Sequence, residues 1–172
     1  MNRTVRFAIY LGVLLGGLLL LGIYRRPRPQ DAALGATERT AIATSADVEY
    51  LTPFGVPTRP FSPAVRVGDL ILLSGQIGTD PGATTNSVVP GGIEAETRQT
   101  LNNIKRTVEA VGSSMDKIVK CTVMMADMAE WDRMNVVYRE FFTPGKLPAR
   151  SAFGASGLAL NARVEIECIA TR

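Results

Sequence analysis

The chain has 172 residues, 46% hydrophobic and 20% charged, which allows one ordinary domain with a tail and excludes disorder of the whole. It has no histidine, and that removes Ser-His-Asp and Cys-His catalysis, histidine zinc sites and histidine pH switching. The net charge of +3 resides in the tail: the first 48 residues hold six arginines against three acidic residues, and the remainder holds thirteen basic and thirteen acidic side chains. The body therefore has no net positive field for nucleic acid.

Phe7 to Tyr24, FAIYLGVLLGGLLLLGIY, is uncharged. A helix of that length spans about 27 Å, close to the hydrocarbon thickness of a bilayer. Arg3 and Arg6 precede the run, and Arg25, Arg26 and Arg28 follow it. Residues 1–26 are expected to form an uncleaved single-pass anchor. The alternative is export after signal cleavage, but arginines stand where a cleavage region should be neutral. Balanced flanking charge leaves the side of the membrane open. Gly12 and Gly16 have a GxxxG spacing, which can bring helices together, although glycine is common in such segments. Residues 27–48, rich in Ala, Thr, Arg and Pro, read as a flexible tether.

Residues 49–172 read as an α/β domain. Arg66–Leu73 suggests two short strands around a Gly68-Asp69 turn. Asp80 to Gly92, full of Pro, Gly, Thr and Ser, is a loop. Ile93, Thr97, Leu101, Ile104, Val108 and Val111 recur at three- and four-residue steps and predict a helix that stops at Gly112. Ile118–Met125 is a buried strand. Asp127 to Glu130 resembles a capping box opening a second helix, whose apolar face is Trp131, Met134, Val137, Tyr138 and Phe141. Thr143–Ala149 is a loop. From Ala162 the chain alternates apolar Val164, Ile166 and Cys168 with Glu165 and Glu167, a strand with one carboxylate-lined face. These elements predict a mixed sheet with two helices on one face. The uncovered face then needs a partner, and its two glutamates need a wet cleft. Cys121 and Cys168 form no metal-type cluster and are expected to be buried thiols, with a disulfide between them left open.

Several residues invite a chemical reading. Arg150, where a Pro-rich loop enters a strand, can fork onto a carboxylate, although most such arginines are surface ion pairs. Glu165 can hold a water or move a proton, although a strand glutamate ordinarily just faces solvent. Ser74 can bind substrate or merely satisfy a turn. Asn135 sits inside the second helix, where it can face a neighbour. No glycine-rich phosphate loop is present.

Taken together, SPAVRVGDLILLSGQIGTDP (62–81), EAETRQTLNNIKRTVEAVGSSMDKIVKCTV (94–123), MNVVYREFF (134–142) and PARSAFGASGLALNARVEIECIA (148–170) resemble the RidA/YjgF family over nearly all of 49–172. The resemblance implies a chorismate-mutase-like α+β fold, a homotrimer with sites between subunits, and hydrolysis of 2-imino or 2-enamino acids to 2-keto acids and ammonia without metal or cofactor. It gives Arg150 the substrate carboxylate, Glu165 the attacking water, and Ser74, Gly75 and Asn135 further pocket positions. Two residues depart from the pattern: Phe61 replaces a common tyrosine, and Ala152 replaces a cysteine found in some members. Both belong to the expected substrate-binding set. A non-catalytic trimer that binds a small carboxylate at the membrane is the alternative. An RNA-cleaving or chaperone-like role is a more distant one, disfavoured for cleavage by the neutral body and the missing histidines.

Overall fold

The computed structural model describes residues 47–172, within a unit bounded by Ala46 and Arg172. The expected anchor, 1–26, lies outside the described residues, as does the expected tether up to residue 46. Val48, at the tether's expected end, already begins a strand. Among the described residues no helix is long and apolar enough to cross a membrane.

The chain begins with β1 (Val48–Leu51), β2 (Ala64–Val67), β3 (Leu70–Leu73) and the short β4 (Gln76–Ile77). Gly68 takes a φ of 58° in the β2–β3 turn, a left-handed conformation that glycine adopts without a Cβ clash. Helix α1 (Gly92–Ala110), strand β5 (Ile118–Met125), helix α2 (Trp131–Arg139), and strands β6 (Ala149–Gly154) and β7 (Val164–Thr171) follow. The sheet order is β1-β2-β3-β7-β5-β6, with β4 also paired to β7. Among the described residues only β5 and β6 pair in parallel, across the connection that contains α2. This is the mixed α+β sheet with two helices that the residue pattern predicts.

The helical stripe Ile93, Thr97, Leu101, Ile104 and Val108 is fully buried. It packs with one face of the sheet, where Ile71, Val123, Met125, Val164, Ile166 and Ala170 are also fully buried. Removing such apolar surface from water is the main stabilising term for the unit. Among the described residues no helix covers the opposite sheet face, which leaves Leu70, Leu72 and Phe153 exposed.

Two local expectations are corrected. The capping box is only half formed. The Asp127 carboxylate accepts from the Ala129 N–H at 2.8 Å and caps a short 3₁₀ turn before α2. Glu130 does not reach back; it accepts from the Arg163 guanidinium at 2.8 Å and lies 3.5 Å from Arg133. Charge-assisted bonds to two arginines outcompete a solvent-accessible backbone N–H. The cysteines are buried, as expected, but they are not thiols. Cys121 and Cys168 lie opposite each other on β5 and β7 and form a disulfide. Strand pairing alone brings these residues together, since they are 47 positions apart in the chain.

Candidate active site

The residues expected to act together fall into two groups on opposite faces of the sheet. Arg150 pairs with Cys121, and Cys121 with Cys168, so all three side chains share the helix-covered face. Glu165 pairs with Met124 and lies three residues from Cys168, which puts it on the open face. Within one chain the arginine and the carboxylate do not meet.

The first group surrounds Arg150. Its guanidinium carbon lies 4.8 Å from the Trp131 ring centroid and 4.6 Å from that of Tyr138. Asn135 lies between them on α2 and is buried. Ala152 follows on the same face of β6, opposite Val123. Among the described residues no carboxylate is within ion-pair distance of Arg150, whereas Arg66, Arg98, Arg133 and Arg163 each have one. A half-buried guanidinium without a counter-ion is a ready receptor for a carboxylate. Burial pushes the Tyr138 phenol up to about 12, against the opposing pull of Arg150, so Tyr138 is neutral at physiological pH. The helical periodicity predicts Trp131 and Tyr138 as core residues only. Their spacing with Asn135 on one helix face was the available signal.

The second group surrounds Glu165. Its carboxylate faces the backbone of Gly75, beside β4, which pairs with β7 at Glu165. Burial, and then the charge of Glu167, hold the Glu165 carboxyl above its ordinary value. The Ser74 hydroxyl donates to the Ser62 carbonyl at 2.6 Å, which fixes its rotamer next to Gly75. A methyl group at the Gly75 position would collide with the Glu165 carboxylate as it stands and push it aside. Gly75→Ala is therefore expected to fold normally, because the carboxylate end can swing aside, yet to lose at least about 10²-fold in turnover, as misplaced catalytic groups do. Thermal unfolding and steady-state kinetics of this variant check both halves.

Phe61 belongs to neither group directly. It lines a cavity of about 290 Å³ between the 54–63 loop and α1, with Phe54, Arg59, Asn103 and Arg106. That cavity holds no acid or base suited to proton transfer, and of the expected site residues it contains Phe61 alone. Among the described residues no cluster of His, Cys, Asp or Glu is arranged to hold a metal.

The profile of the family described as Endoribonuclease L-PSP matches residues 55–172. A 2-iminobutanoate/2-iminopropanoate deaminase of Mus musculus is 41% identical over 113 residues, which are 66% of this chain and 82% of the mouse chain. A protein of the same name from Dermatophagoides farinae is 42% identical over 113 residues, 66% of this chain and 86% of that one. The crystal structure of RidA from the Antarctic bacterium Psychrobacter sp. PAMC 21119 superposes with a TM-score of 0.62 at 29% identity, covering 75% of this chain and 99% of that one.

Proposed function

The chain belongs to the RidA/YjgF family, and from that premise we propose that it hydrolyses reactive 2-imino and 2-enamino acids to 2-keto acids and ammonia. The observation that carries this reading is a half-buried arginine free of any carboxylate partner among the described residues, in a chain that also holds a half-buried glutamate with a raised pKa. Arg150 grips the substrate carboxylate. Glu165 takes a proton from water as the water oxygen bonds to the imine carbon. Glu165 passes that proton to the nitrogen of the resulting carbinolamine, then takes the proton of its hydroxyl as the C–N bond breaks, the carbonyl forms and ammonia leaves. The released ammonia carries the proton away as ammonium, and Glu165 is again ionised. A protonated imine is already electrophilic, so orientation and one acid/base group suffice. Ser74, Gly75 and Asn135 line the substrate, and Phe61 and Ala152 make the wall more apolar than tyrosine and cysteine would.

Arg150 and Glu165 sit on opposite faces of one sheet, so a working site needs two copies of the chain. We assign the open face, with Leu70, Leu72 and Phe153, to the interface of a homotrimer with three sites between subunits. Covering it removes exposed apolar surface from water, and because Arg150 stands on β6, the edge strand of the sheet, an open face seated against the β6 edge of the next subunit would bring its Glu165 toward that Arg150.

The test is turnover. An amino-acid oxidase generates imines from several amino acids, and semicarbazide traps what escapes hydrolysis. Faster imine loss with wild type, and none with Glu165→Gln, is the expected result. The base must be ionised, so activity is present above the Glu165 pKa and lost as pH falls through it. The acid limb of kcat/KM is therefore displaced upward from that of an unperturbed glutamate, and Glu167→Gln shifts it to lower pH by removing a like charge. A well-folded trimer that accelerates no imine would instead be a carboxylate-binding module. RNA binding by 49–172 that weakens steeply with salt would favour the RNA-directed reading.

For localisation we propose a single-pass anchor at residues 7–24, with the catalytic domain on the oxidising side of the membrane. The uncharged apolar run supports the anchor. The Cys121–Cys168 disulfide supports the side, because such bonds persist in oxidising compartments. Full-length protein wholly in the soluble fraction with an intact N-terminus would exclude the anchor.

A further inference from the structure

Arg150 differs from the other half-buried arginine of the sheet in what holds it. Arg66 is tied down by Glu49 at 2.9 Å and by the Val111 carbonyl at 3.1 Å. Arg150 accepts neither kind of restraint among the described residues; two aromatic faces hold it instead. A carboxylate neighbour would fix the guanidinium and also occupy it. An aromatic face attracts the cation through its quadrupole and leaves the planar N–H fork free. Trp131 and Tyr138 are seven residues apart on α2, so both rings project from one helix face onto β6. Tyr138 is in turn packed against Phe142, with ring centroids 4.8 Å apart, and is almost wholly buried. Its hydroxyl has no hydrogen-bond partner among the described residues. The ring is thus placed by packing, and its face is the feature in use.

We propose that Trp131 and Tyr138 are positioning residues, an aromatic cradle that aims the Arg150 guanidinium at the substrate carboxylate without neutralising it. The proposal rests on the reading of Arg150 as the carboxylate receptor. It also explains why a tryptophan at the start of α2 stays partly exposed when the helix could have buried a smaller apolar residue there.

The domain 47–172 is suitable for the test, since the matched region makes up 99% of the Psychrobacter chain, which folds without a further segment. The probe is 2-oxobutanoate, a stable 2-keto acid, titrated by calorimetry beside the imine assay. Trp131→Leu is expected to weaken probe binding and raise KM by about 3- to 10-fold, the range for a cation–π contact, with kcat changed less than about twofold. A grip felt equally in ground and transition states moves KM alone. Trp131→Phe restores most of the affinity, and Tyr138→Phe, which keeps the ring and drops the hydroxyl, stays near wild type. The Arg150 Nε–H resonance gives a ligand-free readout: it is ring-current shifted in wild type and moves toward the solvent-exposed position in Trp131→Leu. Thermal unfolding identifies variants that are simply misfolded. Unchanged probe affinity and an unchanged Arg150 resonance in folded Trp131→Leu overturn the cradle. Loss of affinity in Tyr138→Phe equal to that in Tyr138→Leu removes Tyr138 from it. If wild type binds the probe through Arg150 but hydrolyses no imine, the deaminase reading fails while the cradle stands. If wild type binds nothing, the resonance alone decides the cradle.

Discussion

Two inactive variants, Arg150→Ala and Glu165→Gln, are expected to regain activity when refolded or co-expressed together. Under the proposed mechanism each alone should lose at least about 10²-fold in turnover, since one would remove the proposed carboxylate receptor and the other the proposed proton acceptor. In a cyclic trimer each site would take Arg150 from one subunit and Glu165 from its neighbour. A mixed trimer then contains one site with both groups intact. Random assembly at equal ratio gives about a quarter of wild-type sites, because each intact partner is drawn about half the time. The expectation comes from strand parity. Arg150 shares a face with Cys121 and Cys168, while Glu165 lies on the other face with Met124. Differently tagged variants allow mixed trimers to be isolated and their composition weighed by mass spectrometry. Verified mixed trimers with no recovered turnover would mean that the site is not shared in this way.

Loss of the Cys121–Cys168 bridge should produce the largest change in stability. The bond closes a loop across 47 positions between β5 and β7, neighbouring interior strands of the sheet. Closing a loop of that length in the unfolded chain corresponds to roughly 2–4 kcal/mol in favour of the native state. For a domain of this size the equivalent fall in Tm is about 10 °C. Thermal unfolding with and without reductant measures it, and Cys168→Ser should reproduce the reduced value to within the cost of burying one hydroxyl. The same bond ties stability to location. Cysteines that stay unreactive toward alkylation in denatured cell extracts until reduced would agree with a domain on the oxidising side. Two freely alkylated thiols from intact cells would remove both the bridge and that assignment.

Much of the fold is legible locally, because the signals that specify it repeat within one turn or one strand. The stripe from Ile93 to Val108 marks α1, since every member lies on one face at helical spacing. The alternation in VEIEC marks β7 and already separates Glu165 and Glu167 from the buried side. The Gly68-Asp69 pair marks the β2–β3 turn for a backbone reason. Strand β1, only four residues and largely exposed, and β4, only two, carry no such period, so pairing alone reveals them. The capping box was half wrong because Arg163, distant in sequence, claims Glu130.

Composition and residue pattern alone are enough for the domain's class, its family and the choice of the polar residues Arg150, Glu165, Ser74 and Asn135. The tertiary structure decided which of them face one another. Register across β6, β5 and β7 is a non-local property: one residue of slip would turn every side chain to the other face. That register turns two buried cysteines into a disulfide and separates Arg150 from Glu165. It also lays Arg150 over Trp131 and Tyr138, because β6 returns parallel to β5 across the helix that carries both rings. Local propensity contains no information about these pairings, since each depends on contacts between segments that only the folded core brings together.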